Sequence, residues 1–116
     1  MVIQVVNFNL EGITHEQYEG AATELAPAFK ELNGLKSKVW LSDEKNNVYG
    51  GIYTWENLQN MNDYINSPFY DEVLGNNPSF VNITSKVYKE KDYSNLIDNL
   101  MKTFEVLDGP TRITNP

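Results

Sequence analysis

The sequence predicts an α+β fold of the ferredoxin-like type, in which one antiparallel sheet carries two helices on one of its faces. Three observations lead to this class. Segments rich in β-branched residues alternate with two stretches of helical apolar spacing, which gives the order β-α-β-β-α-β. A short polar turn joins the second and third strands into a hairpin. The strands are also apolar on both faces, so the face without helices needs a cover of its own.

The first strand is predicted at residues 2–10, where VIQVVNFNL is rich in β-branched residues. Thr14, followed three residues later by Gln17, forms a capping-box pattern that marks the start of the first helix. Pro27 lies inside this helix and is expected to kink it or divide it in two. The helix carries one apolar stripe, formed by Tyr18, Ala22, Leu25, Phe29 and Leu32.

The hairpin comprises a second strand at residues 36–42 and a third at 48–55, joined by the polar turn DEKNN at 43–47. A second helix is predicted over 56–66, and SPFYDEVL after it predicts a further short helix. Residues 80–89, FVNITSKVYK, form the fourth strand.

The GGIYTW stretch at residues 50–55 indicates what covers the sheet. Side chains alternate along a strand, so Ile52 and Thr54 point one way and Tyr53 and Trp55 the other. Neither face is suited to water, and the helices cover only one. A second copy of the chain packed on the open face is the favoured interpretation, and a monomer is the alternative.

The sequence is expected to form a single domain over residues 1–116, with a C-terminal helix and arm from about residue 90. A third apolar stripe in residues 92–103 predicts the helix, and residues 104–114 predict a short strand, a Gly-Pro turn and an extended piece. The arm either lies over its own domain or crosses to a partner subunit.

Composition excludes several classes of function. The net charge of -7 disfavours nucleic acid and anionic membranes as partners. The chain has no cysteine and a single histidine, which removes thiolate chemistry and any metal site with two histidines from one chain. It contains no HExxH, GxGxxG or phosphate-loop motif, so neither metal nor cofactor is predicted. Without a secretory signal or a spanning apolar run, a soluble cytoplasmic protein is expected.

A family resemblance is carried by residues 25–64, LAPAFKELNGLKSKVWLSDEKNNVYGGIYTWENLQNMNDY. The features are a proline-containing helix ending in a Gly-Leu turn, the KVW strand, the acidic-Asn turn and the GGIY strand with its aromatic end. The closing FEVLDGPTRIT at 104–114 adds to them. In these features the chain resembles the YdhR-type monooxygenases of the dimeric α/β-barrel superfamily, which also holds the antibiotic-biosynthesis monooxygenases.

The resemblance implies a homodimer whose sheets form a barrel, with a pocket in each subunit between sheet and helices. The superfamily's oxygenases act on polycyclic phenols or anthrone-like compounds, often without metal or flavin. YdhR-type members carry the name monooxygenase largely by this analogy. Two hypotheses follow: a cofactor-independent monooxygenase acting on an aromatic small molecule, or a non-catalytic homodimeric module that binds an aromatic or lipid-like ligand.

The candidate catalytic residues are Trp40, Tyr53 and Asn7, because an indole N–H, a phenol and an amide can orient a phenolate or peroxide. The alternative is that the two rings are ordinary core or interface aromatics, and that Asn7 lies at a strand end turned to water. The candidate substrate-binding residues are the aromatic side chains Trp55, Phe8, Phe29, Tyr64 and Tyr88.

Two basic residues have open roles. His15 is predicted to be a surface residue in the first turn of a helix, and the alternatives are a general base or an axial haem ligand. Arg112 is expected to pair with an acidic neighbour, the alternative being that it closes the pocket over an anionic substrate.

Overall fold

In a computed structural model of the chain, five antiparallel strands of the described residues form one sheet. The structure describes residues 1–91 and the strand at 103–106. The strands are β1 (Val2–Leu10), β2 (Leu35–Asp43), β3 (Val48–Trp55), β4 (Phe80–Lys91) and β5 (Thr103–Val106). They lie in the order β2-β3-β1-β4-β5. The first four strands therefore have the ferredoxin-like order, which confirms the predicted fold class.

The helices lie in the connections that the sequence predicts. They are α1 (His15–Lys30), α2 (Leu58–Ile65) and α3 (Pro68–Tyr70), and α3 continues into a π-helical segment at Asp71–Gly75. The predicted capping box is present, because Thr14 Oγ1 accepts from the Gln17 backbone while the Thr14 N–H donates to Gln17 Oε1. None of the helices within residues 1–91 is both long and apolar enough to span a membrane.

Pro27 does not divide α1, so that part of the prediction was wrong. The helix runs unbroken through the proline. A proline removes only one backbone donor. Tyr18 and Phe29 lie on either side of Pro27 along the helix, and both are buried against the sheet. This packing keeps the helix continuous through the proline.

Strand alternation separates a helix-covered face of the sheet from an open face. Along β1, Val2, Gln4, Val6 and Phe8 are buried beneath the helices, and Ile3 and the other odd-numbered residues lie opposite and are partly exposed. On β3, Tyr53 and Trp55 share the helix-covered face. The two-sided apolar pattern of the sequence therefore corresponds to one core and one open apolar face.

One polar side chain lies fully buried within the core. Gln4 has no exposed surface, and its Oε1 accepts a hydrogen bond of 3.0 Å from Trp55 Nε1. Its Nε2 donates to Ser85 Oγ at 3.0 Å. Gln4 thus links β1 to both neighbouring strands and satisfies the indole N–H in the core.

Gln4→Ala is expected to lower the free energy of unfolding by about 2–4 kcal/mol, because it leaves a cavity and an unpaired buried indole N–H. Denaturant unfolding measures this loss. Ser85→Ala is the control, since it removes only the outer hydrogen bond, a change of about 1 kcal/mol. Equal losses in the two variants would contradict the role given to the Gln4–Trp55 bond.

The described part of the C-terminal segment adds a strand to its own sheet. β5 pairs antiparallel with the end of β4, with Val106 opposite Tyr88 and Thr103 opposite Lys91. This agrees with the short strand predicted at the start of residues 104–114. The predicted helix in 92–103, the Gly-Pro turn and Arg112 lie outside the described residues.

Candidate functional site

A narrow cavity lies between α1 and the helix-covered face of the sheet. Its volume is about 40 Å³, enough for about three water molecules. Its walls are mainly aromatic, formed by Phe8, Tyr18, Phe29, Trp40, Tyr53, Tyr64 and Phe80. Flat rings on several sides favour a planar apolar ligand, although one larger than a few waters requires side chains to move.

Trp40 lies where this cavity borders two open grooves at the α1–β2 edge. One groove, of about 350 Å³, continues past Tyr18 and Ser42. The other, of about 470 Å³, continues past Phe29 and Lys36. Trp40 lines all three spaces and is 37% exposed. Rotation of its indole would therefore join the cavity to either groove.

Lys38 projects into the cavity and is surrounded by rings. Its Nζ lies 3.4 Å from the ring centroids of both Phe29 and Trp40, and 4.7 Å from that of Tyr53. The register of β2 with β3 pairs Lys38 with Tyr53 and Trp40 with Gly51. Gly51 has no side chain, and the Lys38 stem packs in the space that it leaves. The hairpin register thus places a lysine amine among three aromatic faces.

Burial lowers the pKa of the Lys38 ammonium to about 6. The ring faces attract a cation and act in the opposite direction. Within the described residues, no carboxylate forms an ion pair with Lys38, whereas the nearby Lys36 pairs with Glu56 at 2.7 Å. Burial without a counter-ion therefore raises the neutral fraction of Lys38 near pH 7, and the neutral amine can accept a proton inside the cavity.

The hydroxyl of Tyr18 is the second polar group of note in the cavity wall. It is buried, and no described residue forms a hydrogen bond with it. Burial raises the pKa of Tyr18 to about 12 and raises that of Tyr53 further. Both phenols are therefore neutral at pH 7. The Tyr18 O–H is left as a donor for an oxygen substituent of a ligand.

The predicted site residues fall into three groups. Five of them line the cavity, namely Trp40, Tyr53, Phe8, Phe29 and Tyr64. Trp55 is fully buried in the adjacent core, where it donates to Gln4. Asn7 and Tyr88 lie on the open face. The roles of the five cavity residues remain predictions.

Grouping Asn7 with Trp40 and Tyr53 was wrong. Asn7 is opposite Gly50 on β3, whereas Trp40 is opposite Gly51, the next residue. Consecutive positions of a strand face opposite sides of a sheet, so these side chains cannot meet. Tyr88 is excluded from the cavity for the same reason, because it pairs with Ile3 on the open face.

His15 does not line the cavity and is less exposed than predicted. Its side chain is 18% exposed, with Nε2 3.1 Å from Glu19 Oε1 and Nδ1 2.8 Å from Tyr49 Oη. A carboxylate only accepts hydrogen bonds, so Nε2 carries a proton, and in the neutral ring Nδ1 accepts from the Tyr49 hydroxyl. Both nitrogens are therefore occupied by protein partners. No group of three or more acidic or histidine side chains in the described part of the chain could hold a metal ion.

The comparisons with known proteins agree with this architecture. A crystal structure described as a putative antibiotic biosynthesis monooxygenase from Deinococcus radiodurans superposes with a TM-score of 0.60 at 13% identity, covering 84% of this chain and 99% of that one. This likeness establishes the fold alone. No curated protein gives a significant match. The model of the family described as "Putative mono-oxygenase ydhR" matches residues 3–101. Because the match covers most of the chain, the protein belongs to the ydhR family.

Proposed function

We propose that the protein is a cytoplasmic monooxygenase that inserts oxygen into a planar aromatic molecule without metal, flavin or haem. The substrate class is a polycyclic phenol or an anthrone-like compound. The observation that carries the proposal is Lys38, whose amine lies among three ring faces at the wall of the cavity. A base in an aromatic cleft is what such chemistry needs from a protein.

The walls support a substrate that is flat and carries oxygen. Phe29 and Trp40 provide ring surfaces on the α1–β2 side, and Trp40 is placed to admit a ligand from the grooves. The unpaired Tyr18 hydroxyl favours a substrate with an acceptor oxygen, because binding would then satisfy a buried donor.

The proposed reaction begins when neutral Lys38 Nζ removes a proton from an acidic ring CH₂ or OH of the substrate. The resulting anion passes one electron to dioxygen, and the two radicals combine to a substrate peroxide. Loss of water leaves a carbonyl, so that CH₂ and O₂ become C=O and H₂O. The substrate supplies all four electrons, and no external reductant is required. The protein contributes the base, the orientation and a site with little water.

Oxygen uptake tests this proposal. The purified protein, without added metal, flavin or haem, should consume oxygen with at least one member of a panel of anthrones and quinols. Activity that appears only when a cofactor is added would show that the cofactor-free reaction is wrong. Binding of several of these compounds without oxygen uptake would favour the alternative, a non-catalytic module for an aromatic or lipid-like ligand.

The proposed assembly is a homodimer that buries the open face. Val39, Ile52 and Val5 are cross-strand neighbours in one row of that face, and Val39 is 53% exposed. Ile3 and Tyr88 form a second paired row beside them. Partly exposed apolar side chains in adjacent rows, bordered by the exposed Lys86 opposite Val5, favour a protein interface.

Ile52→Glu is expected to convert the dimer to a monomer, because two facing copies would bury carboxylates, and close like charges cost several kcal/mol. Light scattering at micromolar concentration measures the mass. The matched control is Leu58→Glu, since Leu58 is 38% exposed but lies in the helical layer. A wild-type protein with the 13.3 kDa mass of one chain would refute the homodimer.

A further inference from the structure

Lys38 has the surroundings of a reactive amine rather than of a surface lysine. The side chain is only partly exposed, its stem is packed against Gly51, and its Nζ lies against ring faces. No carboxylate of the described residues pairs with it. Because the side chain reaches the cavity, a small molecule in that cavity would meet the amine directly.

Among the residues that the structure describes, the groups facing Lys38 leave it without a counter-ion. The titratable side chains that reach the cavity from the packed elements are Tyr18 of α1, Tyr53 of β3 and Tyr64 of α2. Burial raises the pKa of each of these phenols, so all three are neutral at pH 7. Burial also lowers the pKa of Lys38 to about 6. Burial therefore raises the neutral fraction of this amine at neutral pH above that of an exposed lysine.

We propose that Lys38 is a carbonyl-capturing residue that forms a Schiff base with small aromatic aldehydes in the cavity. The neutral Nζ attacks the carbonyl carbon, and the electron pair of the C=O bond moves to oxygen. The carbinolamine that forms then loses water, and the departing oxygen takes both amine protons. The products are an imine and one water, with no change in oxidation state and no other reactant.

The walls select the class of aldehyde. Phe29 and Trp40 lie on two sides of the amine, with their rings nearly perpendicular and their centroids 5.6 Å apart. An aryl group attached to the carbonyl would therefore contact these rings only after the Trp40 indole turns towards a groove. The unpaired Tyr18 hydroxyl favours a second oxygen on the ring. A hydroxybenzaldehyde meets both conditions, and because it is larger than the cavity of about 40 Å³ it would enter as Trp40 turns towards a groove. This activity requires no dioxygen and does not depend on the proposed oxygenase reaction.

Salicylaldehyde is the probe. The whole protein is incubated with it under argon at pH 7, cyanoborohydride reduces any imine, and tandem mass spectrometry locates the adduct. Lys36, two residues away on the same strand and ion-paired at the surface, is the internal reference. An amine with a pKa of about 6 is mostly neutral at pH 7, whereas one near about 10.4 is neutral in less than about one part in a thousand. Lower basicity weakens the nucleophile, so we expect labelling of Lys38 at least roughly tenfold faster than of Lys36.

Substitutions of Lys36 and Lys38 distinguish labelling in the cavity from labelling of surface lysines. Lys36→Arg should leave the fast adduct unchanged, and Lys38→Arg should abolish it. Thermal unfolding of each variant verifies its fold, and Lys38→Met provides a second test without a buried guanidinium. Fast labelling that survives in Lys38→Met, or a Lys38 rate no greater than that of Lys36, would overturn the proposal. Because oxygen is excluded, either outcome is independent of whether the protein consumes oxygen with quinols.

Discussion

Lys38→Met should lower the rate of oxygen uptake by about a hundredfold or more, because a positioned base contributes about 10²–10⁴ to such proton transfers. Methionine keeps an unbranched chain of similar length among Phe29, Trp40 and Tyr53, so the cavity should keep its shape. The measurement is kcat/KM on an anthrone or quinol that the wild-type protein oxidises. Lys36→Met is the matched control and should keep near-wild-type activity, since Lys36 pairs with Glu56 at the surface.

The pH profile makes this prediction specific to a base. With the pKa of Lys38 at about 6, kcat/KM should rise with pH through that value and then level off as the amine becomes neutral. The rise should be absent in Lys38→Met. A substrate that is already ionised at pH 5 should lose the dependence on Lys38. If the variant kept the wild-type profile and rate, Lys38 would not be the base.

Loss of activity in this variant should not reflect unfolding. The pKa of Lys38 is lower in the folded chain than the ordinary lysine value near about 10.4 in the unfolded chain. The unfolded state therefore binds the proton more tightly between these two values, and Lys38 reduces stability at neutral pH. The cost is fully present below about pH 6 and disappears as the pH rises towards about 10. Lys38→Met should thus be as stable as the wild type or more stable. Functional residues often reduce the stability of the folded protein in this way.

The order of elements could be predicted because its determinants are local. Thr14 and Gln17 specify the start of α1 within four residues, and the polar turn at 43–47 fixes the hairpin between β2 and β3. The expected division of α1 at Pro27 failed for a tertiary reason. Packing of Tyr18 and Phe29 on either side of the proline outweighs the loss of one backbone hydrogen bond.

The aromatic wall of the site could be predicted in part, because alternation along β3 separates Tyr53 from Ile52 without any tertiary information. The sequence did not predict in the same way which side chains of neighbouring strands lie on the same face of the sheet. Asn7 and Trp40 fall on opposite faces because of the pairing of β1 with β3 and of β2 with β3, and only the structure gives both registers.

Lys38 was missed because lysine is usually a surface residue, and a buried amine has no sequence motif. A weak indication existed in KSKVW, where strand alternation places Lys38 on the same face as Trp40. The space that allows burial comes from Gly51 on the neighbouring strand, and it becomes visible only once the hairpin register is known.

Gly50→Ala should destabilise the fold by more than about 4 kcal/mol or prevent folding, an effect at the extreme of single substitutions. Gly50 lies on β3 opposite Asn7 of β1, where the two backbones approach closely. A methyl group at this position would overlap the backbone carbonyl of Val6. The Val6 backbone cannot move away from this methyl group, because β1 is a central strand that is hydrogen-bonded on both edges. Relief therefore requires separating β1 from β3, which breaks the centre of the sheet and the adjacent cavity wall.

Gly20→Ala is the matched control for this substitution. Gly20 lies on the exposed side of α1, and a methyl group there would meet no atom within 4 Å. Alanine is the better helix former, so this variant should gain about 0.5–1 kcal/mol. Denaturant unfolding of both variants gives opposite signs if close approach of the strands is the reason for Gly50. A Gly50→Ala protein within about 1 kcal/mol of the wild type would mean that β1 and β3 can move apart freely, since that loss is typical of an ordinary substitution.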